Sequence, residues 1–484
     1  MLDGEKVCRA ASVTMIIRSI ADWRGINRHL SAVAGLAWYR IGMKTALLFL
    51  VCCVVPLHAA NSFSCAELIA LANSGKPGLT EAIVATFPGD SLTQGKAVAW
   101  RGGDFFFAIK SDAEPSLVID DGAALPMKKI AETNIWYAVA HTDKVYFDHS
   151  YLYMVNGAPF GGANDLPALG PLSYPQPGVP KGTLTGKFTH VSKVYDGMVS
   201  EYQLYIPAEY DPNVPAPLMV FQDGGGYADP NGDHPVVSVL DNLIAQKKIP
   251  VMIALFINAG DISKSPGTPT YEFVQKYMKE WGKEMHDAMR STEYDTVSDR
   301  YNKYLREVLA EVSKRYNIRQ DGYSRGTAGA SSGGICAFNS AWWNPNDFSR
   351  VISWVGSFGA HQWKEQADLP DGGQDYPEKV LREAHRNIRV WLADGSNDIE
   401  GTHGSWALDN IRMANALKMA DYDFHFSFGT GAHSNAYGGT QLPEEMIWLW
   451  RDYDPSKTEQ VYEMELSEKA RPVFRVSITN RNSR

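Results

Sequence analysis

Cysteine is scarce in this chain of 484 residues: there are five, and three of them, Cys8, Cys52 and Cys53, fall in a stretch expected to be removed. Cys65 and Cys336 are left, which makes no disulfide framework. Cys336 lies in an apolar helical pattern and reads as a small buried core residue. Cationic excess is also missing, since 46 Lys and Arg stand against 55 Asp and Glu, a formal net charge of -9. The pI is near 5.8. A protein that grips phosphate backbones needs a basic face, so nucleic acid is excluded as a partner. No His, Cys and carboxylate set has ligand spacing, so neither a metal nor a cofactor is expected. Internal repeats and biased tracts are absent too, and the 44% hydrophobic, 11% aromatic and 21% charged residues are ordinary for a globular protein.

Uncharged apolar runs long enough to cross a bilayer are likewise lacking. The run at residues 46–55 follows Met43-Lys44 and precedes Pro56 and Ala59-Ala60. It falls short of the roughly 20 residues of a helical span and has the layout of a secretory signal peptide. The reading is a signal at 43–60, a translation start at Met43, an over-extended N-terminus at 1–42, and a secreted or periplasmic protein with no stable membrane span once the signal is removed.

A chain of this length exceeds one hydrophobic core. From Gly95 to Gly161, short β-rich runs alternate with turn residues, the pattern of a small β-sandwich, and a Pro/Gly-rich linker follows. Residues 61–175 are therefore assigned to an immunoglobulin-like β-sandwich and linker, 176–455 to an α/β domain, and 456–484 to a tail. In the α/β domain strand and helix patterns alternate, with a long helix expected from Ser298 to Arg315, which predicts a mostly parallel central sheet covered on both faces. Such sheets carry chemistry at the carboxyl ends of their strands.

Gly329-Ala330-Ser331-Ser332-Gly333 matches G-x-S-x-G between an extended stretch and an apolar helix. Glycines are needed there because the serine sits in a tight, strained turn. A serine hydroxyl becomes a good nucleophile only when an imidazole takes its proton and a carboxylate orients that imidazole. Downstream, in the expected order, come Asp394-Gly395-Ser396-Asn397-Asp398 and Thr430-Gly431-Ala432-His433-Ser434. Ser331 is the candidate nucleophile, His433 the base and Asp398 the acid; Asp394 competes for the last role but reads as a turn residue bonding nearby backbone N–H groups. Gly224 and Gly225, in the glycine-rich loop after the strand at 217–221, and Ser332 are candidate oxyanion-hole donors, a plain turn being the alternative for the loop. Tyr227, Glu293, His361 and Trp406 are candidate substrate contacts; for His361 a surface or core place is the plainer alternative. His425, inside a strand pattern, reads as structural. Phe273, Tyr277 and Trp281 recur on one helical face within residues 262–292, a segment that either gates an acyl pocket or docks on the domain as core.

The stretch from Ser192 to Tyr453 resembles the enterochelin esterase-like branch of the putative esterase family, which includes feruloyl and other carbohydrate-acyl esterases. The resemblance rests on residues 219–224, 293–301, 328–339, 394–400, 431–434 and 443–453. It implies an α/β-hydrolase fold, with Ser331, Asp398 and His433 as nucleophile, acid and base. Residues 65 to 175 resemble, more loosely, the N-terminal immunoglobulin-like domain of enterochelin esterases. Residues 262–292 depart from the family pattern, which has a shorter, Arg-containing connection there. The activity implied is that of a serine carboxylic ester hydrolase working through an acyl-enzyme on a small-molecule or oligosaccharide ester, an acetylated or feruloylated sugar being preferred. Alternatives are a siderophore lactone esterase and a non-catalytic glycan-binding protein.

Overall fold

The computed structural model describes residues 6–7, 62–229, 234–359, 372–434 and 437–476. The expected signal at 43–60, the stretch from 8 to 42 and His361 lie outside the described residues. The chain forms two compact units, one of residues up to Val118 with 122–141 and 152–162, the other of 119–121, 142–151 and 163 onward.

Residues 62–168, with Lys6–Val7 as one edge strand, form a five-stranded antiparallel sheet, and they also hold a four-stranded sheet and two helices. The five-stranded sheet is built on the meander of Ala97–Arg101, Asp104–Lys110 and Ile135–His141. A four-stranded sheet includes Pro115–Ile119, Phe147–Val155 and Ala158–Ala168. The helices, Cys65–Ser74 and Leu79–Thr86, were not anticipated, because the strand pattern was read only from Gly95 onward. A local signal for the first does exist: Ser64 accepts from the Glu67 N–H while the Glu67 carboxylate accepts from the Ser64 N–H, and Gly75 closes the helix at a φ of +62°. Leu68, Ala82 and Ile83 bury their side chains with Ala97, Phe106 and Ala108 of the sheet.

In the second unit a nine-stranded mixed sheet comprises β1 (Thr183–Leu184), β2 (Phe188–Val191), β3 (Val199–Ile206), β4 (Leu218–Gln222), β5 (Ile253–Ile257), β6 (Arg325–Ala330), β7 (Arg350–Trp354), β8 (Arg389–Asn397) and β9 (Asp423–Ala432). Its order is β1-β3-β5-β4-β6-β7-β8-β9, with β2 also on β3. The pairs from β5 to β9 are parallel; β3 is antiparallel to β1, β2 and β5. Every residue of β4, β5 and β7 is buried, and β4 and β5 accordingly read as almost continuous apolar runs instead of alternating ones. The chain leaves β4 for β5 on one side and then returns to place β6 on the other. That reversal opens a crevice at the carboxyl ends of β4 and β6, the place where open α/β sheets bind ligands.

Helices α1 (Gly224–Ala228), α2 (Val236–Ala245), α3 (Pro269–Trp281), α4 (Met285–Tyr294), α5 (Arg300–Ser313), α6 (Ser332–Trp343), α7 (Tyr376–Arg382), α8 (Trp406–Met419) and α9 (Leu442–Leu449) connect these strands. The stretch at 262–292 folds as α3 and α4. Thr268 caps α3 by accepting from the Tyr271 N–H, Pro269 supplies a pre-set φ at its first position, and Gly282 ends it at a φ of +63°. Its inner face carries Val274 and Tyr277, both buried in the main core, with the Phe273 ring stacked on Tyr277 at 6.3 Å. Of the two readings of this segment, packing favours core. Tyr277→Ala should therefore destabilise the protein by about 3 kcal/mol in urea unfolding, the cost of an emptied aromatic site. A variant of unchanged stability but altered substrate preference would restore the gating role.

Candidate active site

Ser331 follows β6 directly, Asp398 follows β8 and His433 follows β9, so three parallel strands deliver them to one edge of the sheet. The turn at Ser331 is possible only because of its neighbours. A Cβ at Gly329 would lie 2.5 Å from the Gly333 carbonyl group, and one at Gly333 would press on Asp223 Oδ2 at 3.2 Å and Gln222 Cβ at 3.4 Å. Ser331 itself is held at φ +58° and ψ -121°, a conformation an L residue adopts only under constraint. Its backbone is clamped to β7 and the turn beyond: the Ser331 N–H donates to Trp354 O at 2.9 Å and the Ser357 N–H to Ser331 O at 3.1 Å.

The side chains meet as a relay. His433 Nε2 is 2.9 Å from Ser331 Oγ, and His433 Nδ1 is 2.6 Å from Asp398 Oδ1. Asp398 is fully enclosed at its side chain, and its Oδ1 also accepts the Ile399 N–H. Ser357 Oγ lies 3.3 Å from Ser331 Oγ and accepts from Trp406 Nε1 at 3.2 Å. With the Ser331 proton directed at His433, the Ser357 hydroxyl is the donor to Ser331 Oγ. Ser357 was not anticipated; nothing in its local sequence marks it.

The loop after β4 is held by contacts distant in sequence. Arg290 of α4 forks onto Asp223, with Nε at 3.0 Å and Nη2 at 2.7 Å from Oδ2, and Nη2 reaches Ala330 O at 3.3 Å. One guanidinium thus ties the glycine loop to the residue before Ser331, the planar bidentate geometry that suits Arg.

Of the expected oxyanion donors, Gly224 and Ser332 open helices α1 and α6, where first-turn N–H groups have no helical acceptor. A Cβ at Gly224 would collide with the β5 backbone at 2.3 Å, so only glycine fits. Gly225 is a correction: its N–H donates to Asn258 Oδ1 at 2.8 Å and is already engaged. The expected substrate contacts are corrected as well. Glu293 is 1% exposed, and its Oε1 accepts the Gly260 N–H at 2.9 Å, which fixes the loop after β5 from behind. Tyr227 is 6% exposed and packs among Phe221, His234 and Trp354. Trp406 is 3% exposed, with its ring set edge-on to His433 at 6.0 Å, so it backs the imidazole. His425 stacks on Trp391 at 3.9 Å within the sheet, as a structural residue does, and burial pulls it down to about 4.

The family model described as putative esterase matches residues 198–449, just over half of the chain, and the chain belongs to that family. A search of the curated proteins finds no match. Among solved structures, enterobactin esterase from Shigella flexneri is similar at 15% identity over 72% of this chain and 94% of that one, with a TM-score of 0.46. Ferric enterobactin esterase from Salmonella typhimurium matches at 16% identity over 72% and 93%, with a TM-score of 0.47. A ferulic acid esterase from Anaeromyces mucronatus matches at 14% identity over 58% and 94%, with a TM-score of 0.42. At these identities and scores the three do not discriminate between substrates.

Burial pushes the Glu293 carboxyl up to about 8, against the opposing pull of the Gly260 N–H. An acid whose folded value is raised binds its proton more tightly in the native state, so stability falls as pH rises from the ordinary glutamate range to about 8 and is level beyond. Glu293→Gln keeps the acceptor for Gly260 and removes the ionisation. Its melting temperature relative to the parent protein should rise between pH 5 and pH 9; a difference that does not change with pH would show Glu293 to be ionised throughout.

Proposed function

We propose that this member of the esterase family is a serine carboxylic ester hydrolase that works through an acyl-enzyme. The observation that carries the reading is the unbroken line from Ser331 Oγ through His433 to Asp398, at 2.9 Å and 2.6 Å. In the first half-reaction Ser331 Oγ attacks the ester carbonyl carbon while His433 Nε2 takes the hydroxyl proton. Asp398 holds the imidazole by Nδ1–H and stabilises the imidazolium that forms. The carbonyl oxygen, now negative, accepts hydrogen bonds from the N–H groups of Ser332 and Gly224, which stand ready at two helix starts and need no reorganisation. His433 then returns the proton to the departing alcohol oxygen. In the second half a water attacks the acyl carbon, its proton passes to His433, and the acid is released with Ser331 restored.

For the substrate we favour an acylated sugar, acetylated or feruloylated, because the sequence at 43–60 has the layout of an export signal and an exported enzyme meets polymer-derived esters. The immunoglobulin-like character of residues 61–175 belongs to the same proposal and is supported by the two sheets found there. A glycan-binding protein without catalysis is disfavoured because all three relay positions are filled and in register.

Ser331→Ala should lower p-nitrophenyl acetate hydrolysis by roughly 10³-fold or more and abolish fluorophosphonate labelling, with the melting temperature retained. Full activity in Ser331→Ala together with loss in Ser332→Ala would move the nucleophile by one residue and overturn the assignment.

A further inference from the structure

Two carboxyl groups, not one, stand behind His433. Asp394, within β8, is completely buried, as is the side chain of Asp398. The two groups lie within hydrogen-bonding reach of one another. Each uses Oδ1 for the N–H of the residue that follows it, Gly395 to Asp394 at 2.6 Å and Ile399 to Asp398 at 2.5 Å. That leaves Asp394 Oδ2 and Asp398 Oδ2, both buried and neither facing a protein donor among the described residues. Asn410 of α8 also lies against Asp394 and, with the Gly395 N–H, draws that carboxyl toward its ionised form; its amide nitrogen bonds Gly356 O at 2.9 Å and Trp406 O at 3.1 Å, and its own Oδ1 is buried without a donor. The Tyr437 hydroxyl donates to the Asp394 backbone oxygen. Among the described residues no Lys or Arg forms an ion pair with either carboxyl group.

Two ionised carboxylates cannot share such a place, since the charges repel at short range in a medium that screens them poorly and both Oδ2 atoms remain unsatisfied. One proton between them resolves both difficulties. We propose that Asp394 is a positioning residue that stays protonated and donates its hydroxyl to Asp398 Oδ2, so that a single negative charge stands behind His433. The proton belongs on Asp394 because Asp398 already accepts two hydrogen bonds at Oδ1, from His433 Nδ1 and the Ile399 N–H, and both favour its ionised form. Burial, followed by the hydrogen bond and charge of Asp398, holds the Asp394 carboxyl well above the usual range, in the same direction. A neutral carboxylic acid kept as a donor then fixes the Asp398 carboxylate plane from the side opposite the imidazole. The inference rests on the reading of Asp398 as the residue that orients His433.

The pH profile of kcat/KM for p-nitrophenyl acetate separates the possibilities, because its acidic limb reports the protonation of His433 in the free enzyme. Asp394→Ala removes the donor and should lower kcat by roughly 10-fold, with KM little changed, as the loss of a residue that orients an active group does. Asp394→Asn supplies an N–H in place of the O–H at the same charge, and should recover most of that loss with the acidic limb where it stands in the parent enzyme. A limb displaced to lower pH by about half a unit or more in Asp394→Asn would mean that a second negative charge had been removed, and would overturn the proposal. So would an Asp394→Ala enzyme with the parent kcat. Should the alanine variant fail to fold, the asparagine variant decides alone, together with the infrared difference spectrum: a protonated carboxyl C=O band at pH 7, lost in Asp394→Asn, is expected, and its absence from the parent protein would count against the proposal. Retained activity in Ser331→Ala would instead strike the proposed function and leave the protonation of Asp394 to be read from the same spectrum.

Discussion

The backbone at Ser331 is the constraint on which the site depends. A residue held at φ +58° and ψ -121° stays there only if its surroundings leave it nowhere else to go, at a cost on the order of 1–3 kcal/mol. Here Gly329 meets the Gly333 backbone across the turn, Gly333 meets the Gln222 and Asp223 side chains at the end of β4, and the Ser331 peptide is bonded on one side to Trp354 of β7 and on the other to Ser357. Strand and helix are packed so closely at Gly329 that even a methyl group is excluded there. In return Ser331 Oγ projects above the sheet edge, and the first turn of α6 follows immediately, its N–H groups directed toward that edge.

The second layer of order comes from charge. Asp223, itself at φ +58°, would be an unremarked turn residue but for Arg290, whose guanidinium spans from its carboxylate to Ala330 O. The glycine loop after β4 and the serine turn after β6 are thereby set against each other by a residue that belongs to neither. Glu293, one helical turn on from Arg290 in α4, performs a comparable service for the loop after β5 through the Gly260 N–H. Both residues sit on α4, which is itself anchored by Met289, Tyr294 and Ala288 in the main core. The helix carries apolar packing on one side and supports for the active-site loops on the other.

This division explains what could be read from sequence and what could not. The relay was legible because each member is announced locally: Ser331 by flanking glycines, Asp398 and His433 by turn residues after apolar strands, in the order this fold requires. The parallel sheet was legible from β4 and β5, whose uninterrupted apolar runs only a doubly covered sheet accepts. Arg290 and Asp223 are 67 positions apart, and nothing in either neighbourhood names the other. Gly225 failed as a donor for a related reason: three consecutive glycines look alike in sequence, and only Asn258, at the end of β5, shows that the middle one is engaged. Glu293, Tyr227 and Trp406 are buried, at 1%, 6% and 3% exposure, and a sequence pattern does not show which way such side chains face. The two helices at the start of the first unit lie outside the alternating pattern that marks the strands from Gly95 onward, and only Ser64-x-x-Glu67 and Gly75 announce the first of them.

Gly395 and Gly431 lie side by side on β8 and β9, so close that a Cβ on the first would sit 2.2 Å from the carbonyl oxygen of the second, and Asn397 Nδ2 bonds Thr430 O at 2.7 Å just beyond. The separation of Asp398 from His433 is consequently set at the β8–β9 seam, by main chain against main chain at Gly395 and Gly431 and by the Asn397 side chain where the register shifts between Gly395 and Asn397. A fixed spacing of this kind resists gradual tuning: lengthening either loop by one residue would throw Asp398 and His433 out of phase, and variation at either can enter only as matched changes in both loops.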